Sequence, residues 1–141
     1  MHVPYGKSIF FPIINVENLG IETCDFIKNV PGLVKGTDHY NLACVIVSMN
    51  LVESLSLEIN GKKFNKEDLT RHRVISKKYK VTPAEGNIFG HPSVRTIARA
   101  DGWWVMLENL KPGVYHIEFS GEIPNIFKLR TKYILTVAKK K

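Results

Sequence analysis

Two runs near the carboxyl end alternate apolar and polar residues with a period of two. That pattern constrains the fold more than any other feature of the chain. In residues 114–120, Tyr115, Ile117 and Phe119 share one face, while Val114, His116, Glu118 and Ser120 share the other. In residues 127–137, Phe127, Leu129, Tyr133, Leu135 and Val137 point one way, and Lys128, Arg130 and Lys132 point the other. Successive side chains alternate across an extended backbone, so each run makes a strand with one dry face.

The same logic extends upstream. Leu55, Leu57 and Ile59 alternate with Ser56 and Glu58, and Asn60-Gly61 then supplies a hairpin turn. Residues 8–16 read as a strand, with Pro12 placing it at an edge or a bulge. Residues 71–76 and 77–81 read as exposed strands, and Arg71 and Arg73 fall on one face by alternation. Residues 82–93, with Pro83, Gly86, Gly90 and Pro92, form a loop. Two strands follow, 94–100 and 103–110, separated by a turn at Asp101-Gly102. Lys111-Pro112-Gly113 then makes a tight connection, so 103–110 and 114–120 are expected to pair as a hairpin.

Helix is expected in two places. Residues 22–29 form a short helix stopped by Pro31-Gly32. Residues 38 to about 52 form the main helix, with Asp38 as N-cap and Leu42, Val45, Ile46 and Met49 on one stripe. The β-branched run Cys44-Val45-Ile46-Val47 argues for a strand there instead. The fold class expected is mostly β: an antiparallel β-sandwich, jelly-roll or immunoglobulin-like, with one or two short helices. A length of 141 residues, no internal repeat and no long linker give a single domain over 1–141.

Several segments resemble a family of uncharacterised bacterial and archaeal β-sandwich proteins, many of them exported. The matching pieces are Val3-Pro4 with Gly6-Lys7, Ile9-Phe10-Phe11-Pro12, Asn60-Gly61 and Arg71 with Arg73-Val74. They continue through Asn87-Ile88-Phe89-Gly90, Ala100-Asp101-Gly102-Trp103-Trp104-Val105-Met106-Leu107 and Leu110 with Pro112-Gly113. His116-Ile117 with Phe119, and Tyr133 with Leu135-Thr136-Val137, complete the set. The resemblance implies the sandwich fold and export; it carries no activity. The chain departs from the family after Asn15, where Val16-Glu17-Asn18-Leu19 replaces a Cys-containing acidic stretch.

Cys24 and Cys44 are the two cysteines, without C-x-x-C spacing. Two buried thiols are the expectation, with one disulfide in an oxidising compartment as the alternative. The amino terminus has no basic segment running into an apolar one, so the chain carries no signal peptide as given; it is exported if a leader has been removed. No apolar stretch is long enough for a transmembrane helix.

Charge is uneven. Residues 1–70 hold 6 basic and 8 acidic side chains, and residues 71–141 hold 14 and 5, within a net +7. Arg71, Arg73, Lys128, Arg130 and Lys132 are candidate anion-binding residues. Nucleic acid is not expected, because Arg71-His72-Arg73 and Lys77-Lys78-Tyr79-Lys80 interleave one aromatic residue only. Trp103 and Trp104 must face opposite sides of their strand. On the expected hairpin, Trp104, Met106, His116 and Glu118 share an outward surface and are the candidate ligand-binding residues. The alternative is that the 18–36 segment or the helix covers this face and makes Trp104 a core residue.

No phosphate-binding loop, nucleophile elbow or zinc-protease motif is present. No cofactor or resident metal is expected. The function expected is a non-catalytic binding or interaction module for a small ligand or a protein. The alternative is a metal-dependent enzyme using His116 and Glu118, which sit at i, i+2 on one strand face.

Overall fold

A computed structural model describes residues 1–140; Lys141, the end of the lysine tail, lies outside the described residues. The chain runs β1 (His2–Val3), β2 (Ile9–Leu19), α1 (Asp38–Asn50), β3 (Ser54–Ile59), β4 (Lys62–Asn65), a 3-10 turn (Thr70–His72), β5 (Arg73–Ile75), β6 (Tyr79–Val81), β7 (Thr96–Leu107), β8 (Gly113–Ile123) and β9 (Phe127–Val137). The fold is mostly β: a five-stranded sheet ordered β1-β9-β8-β3-β4, and a second sheet ordered β2-β7-β5 with β6 on β7. β3 pairs antiparallel with β4 and β8, β8 with β9 and β6 with β7, while β1 lies parallel to β9.

The chain divides into two compact units. The first holds residues 1–15, 51–74 and 102 onward, and so contains the whole five-stranded sheet. Its ladder follows from the alternation. β8 and β9 pair over their full lengths from Gly113↔Val137 to Ile123↔Phe127. β3 takes the other edge of β8, from Ser54↔Glu122 to Ile59↔Ile117. Asn60 and Gly61 both have positive φ, 49° and 83°, as the two-residue turn between β3 and β4 requires. Leu55, Leu57, Ile117, Phe119, Leu135 and Val137 are buried. Within this unit the two sheets meet side chain to side chain. Phe11 of β2 stacks on Phe119 with ring centroids 5.1 Å apart. Gly121 leaves room for Ile14, whose Cβ would lie 2.9 Å from an added methyl group.

The second unit holds residues 16–50 and 75–101. Thr37, not Asp38, caps the helix: its hydroxyl accepts from the Tyr40 amide at 3.2 Å. Asp38 is instead held by Arg99 through two bonds, Nε to Oδ1 at 2.8 Å and Nη2 to Oδ2 at 2.9 Å. The buried stripe of the helix is Tyr40, Asn41, Cys44, Val45, Ser48 and Met49, with Leu42 and Ile46 half-buried. It is rotated from the expected one because polar groups find partners on the inner side. Asn41 donates to the Ile97 carbonyl at 3.1 Å, and the Tyr40 hydroxyl accepts from the Cys24 amide at 2.8 Å. Cys24 and Cys44 form a disulfide, not two thiols, and with Ile27 and Tyr40 they make a small apolar cluster.

Four further expectations are corrected. Residues 22–29 form turns, not a helix, tied down by the disulfide and the Tyr40 bond. Asp101-Gly102 is not a turn but the middle of the twelve-residue β7. Gly102 is there because β2 passes too close for a side chain: a Cβ would stand 2.5 Å from the Asn15 Cβ and 2.6 Å from the Ile14 carbonyl oxygen. β7 and β8 do not form a hairpin; they belong to different sheets, since both edges of β8 are taken by β3 and β9. Phe127 and Tyr133 are exposed, not core, because they lie on the outermost long strand of their sheet.

Candidate functional site

The period-two pattern that buries Ile117 and Leu135 turns the remaining side chains of four strands onto one outer face. Register then sorts them into rows. Lys63, Glu58, Glu118 and Lys132 lie in one row across β4, β3, β8 and β9. Asn65, Ser56, Ser120 and Arg130 lie in the next. Glu122 faces Lys128, and His116 faces Ile134.

The rows are cross-linked. Arg130 and Lys132 both engage the Glu118 carboxylate, the lysine at 2.9 Å. Lys128 meets Glu122 at 3.1 Å, and the Ser56 and Ser120 hydroxyls are 2.7 Å apart. Asn60 of the hairpin turn fixes the backbone of His116, accepting from its amide at 2.8 Å and donating to its carbonyl at 2.9 Å. The Lys132 hydrogen bond, ahead of the Arg130 contact, holds the Glu118 carboxyl below the usual carboxylate range against its partial desolvation. Two shallow hollows lie on this face. One, of about 240 Å³, is lined by Glu58, His116, Glu118, Lys132 and Ile134. The other, of about 420 Å³, is lined by Ser56, Lys63, Phe64, Lys128 and Arg130.

Of the residues expected from sequence, His116, Glu118, Lys128, Arg130 and Lys132 come together here. Trp104 and Met106 do not join them, since β7 lies in the other sheet. Trp104 is half-buried and stacks on the exposed Phe10, centroids 5.2 Å apart and planes within 8°. Trp103 is the core partner, with the Arg73 guanidinium over its ring at 5.1 Å. Arg71 sits in the 3-10 turn and Arg73 opens β5, so the two do not alternate along one strand face. Sequence reasoning missed Glu58, Lys63 and Glu122 as members of the face. Ser56 and Glu58 were readable as one polar face. Their partners were not, because β3 and β8 lie about sixty residues apart and pairing over that distance leaves no local signal.

The metal reading finds no support in the side chains. Among the described residues, no three His, Cys, Asp or Glu groups converge on one point. Glu118 is already committed to two cations. No helix among the described residues is long and apolar enough to cross a membrane.

Compared with protein-family models, curated proteins and solved structures, the chain gives no significant match.

Proposed function

We propose that this protein is a non-catalytic binding module whose contact surface is the outer face of the five-stranded sheet. One observation carries the reading: Glu118 and Glu122, the two β8 carboxylates of that face, are each tied to cations of β9. A general acid or base needs a side chain whose charge changes near the working pH. Glu118 is instead held ionised by Lys132 and Arg130, and Glu122 is paired with Lys128. Carboxylates held on β8 beside a line of cations on β9, over shallow hollows, suit recognition of another surface. The Cys24–Cys44 disulfide supports a second element of the reading, an oxidising compartment of the kind found outside the cell. Membership of the exported β-sandwich family belongs to the same proposal.

A displayed peptide library selected on the whole protein tests the reading, with Lys128→Glu/Arg130→Glu/Lys132→Glu as the counter-target. Binders that discriminate the two proteins are expected. A library yielding only binders that hold both equally well places the contact surface elsewhere. Stoichiometric zinc, iron or manganese in the purified protein would favour the enzyme alternative.

A further inference from the structure

The backbone hydrogen bonds of β9 show which of its residues face away from β8. The Thr136 amide donates to the Met1 carbonyl, the amino terminus donates to the Ile134 carbonyl at 2.9 Å, and the Ala138 amide donates to the Val3 carbonyl. Even-numbered residues therefore aim their main-chain groups outward, and a period of two puts those of Lys128, Arg130 and Lys132 along the same edge. β1 covers only Thr136 and Val137. Among the described residues, no strand lies beside 127–133 on that side.

The two faces of this open edge differ. On the outer face stand Lys128, Arg130 and Lys132, all exposed. Their carboxylate partners, Glu118 and Glu122, lie on β8, away from the edge. On the inner side Phe127 is 51% exposed and Tyr133 40%, with Leu129 half-buried between them. At the β1 end an apolar hollow of about 200 Å³ opens between Met1, Phe10, Ile117, Tyr133 and Leu135.

We infer that β9 is the docking edge for an extended segment of a partner protein in which acidic and apolar residues alternate. Main-chain bonds to 127–133 would hold it as an added strand. Its acidic side chains would lie cross-strand from Lys128, Arg130 and Lys132, and its apolar ones would cover Phe127, Leu129 and Tyr133. An apolar side chain at its end would fill the hollow beside Met1. A second copy of this chain is the poorer occupant. Antiparallel pairing of two β9 edges about Thr131 sets Arg130 opposite Lys132 of the second copy, and like charges directly opposite destabilise a sheet. The inference rests on the reading of the protein as a binding module and names the partner chemistry.

The test uses synthetic peptides as long as the open edge, measured by calorimetry against the whole protein. An alternating Glu/Val peptide should bind. Its Lys/Val counterpart should bind about tenfold or more weaker, and so should a Glu/Val peptide N-methylated on one edge. Arg130→Pro removes an outward N–H together with a cation of the outer face and should abolish binding with native circular dichroism, whereas Arg130→Ala, which removes the cation alone, should only weaken it. The methylated peptide keeps the test decisive if that variant does not fold. Undetectable binding of the Glu/Val peptide, or binding indifferent to N-methylation, overturns the edge. A dimer in sedimentation that Arg130→Pro converts to monomer assigns the edge to a second copy and also overturns the inference. Library binders that recognise the outer face but survive Arg130→Pro would sink this inference while leaving the binding-module reading in place.

Discussion

At the scale of single residues, the sharpest constraints come from groups with no room or one partner. Gly102→Ala would drive a methyl group into the Asn15 Cβ and the Ile14 carbonyl, both nearer than 2.7 Å. Backbone cannot swing aside as a flexible side chain can, so a loss of about 3 kcal/mol is expected in urea unfolding. Trp103→Ala should cost about 3–5 kcal/mol because it empties a core site. Trp104→Ala should cost about 2 kcal/mol, less than Trp103→Ala, because the ring is only half-buried and stacks on the exposed Phe10. Asp38 makes a pH prediction. The Arg99 hydrogen bonds hold its carboxyl below the ordinary range, so the pair stabilises the fold above the unfolded pKa of about 3.9. That contribution disappears as pH falls through the lower, folded value. The melting temperature of Asp38→Asn should therefore lie below that of the parent at neutral pH, and the gap should close in acid.

At the scale of elements, the period-two pattern was the legible part. It located β3, β8 and β9 and put Ile117 and Leu135 inside, where they are 3% and 1% exposed. Either residue changed to Ala should lose about 2–5 kcal/mol. The helix was also legible, beginning at Asp38 and ending at Asn50. What failed was reading short-range chemistry where long-range packing decides. Asp-Gly favours turns, yet at 101–102 the absence of a side chain serves a neighbouring strand. A short Pro-Gly connection favours a hairpin, yet it carries the chain from one sheet to the other. The face gathering Glu58, Glu118 and Lys132 was illegible for the same reason, since its rows depend on which strands pair. The 82–93 loop was legible as irregular but not as ordered. Asn87 donates to the Ala84 and His91 carbonyls and accepts from the Phe89 and His91 amides. It thereby holds up Ile88 and Phe89, which are 92% and 75% exposed. Asn87→Ala should speed chymotryptic cleavage after Phe89 without moving the global unfolding midpoint.

For the whole molecule, the charge imbalance along the sequence becomes an imbalance between units. The unit holding the five-stranded sheet carries 13 basic and 7 acidic residues, and the other carries 7 and 6. The disulfide belongs to the second unit and closes a separation of 20 residues, so reducing it should cost about 3 kcal/mol. The parallel seating of β1 has a practical side. His2 faces Thr136 and Val3 faces Val137, so any residues fused ahead of Met1 are aimed back along β9 past Ile134. An acidic tag at that end would act as a built-in competitor for the open edge, whereas a basic one would meet like charge at Lys132 and Arg130. Tagging at the other end keeps the edge available for measurement.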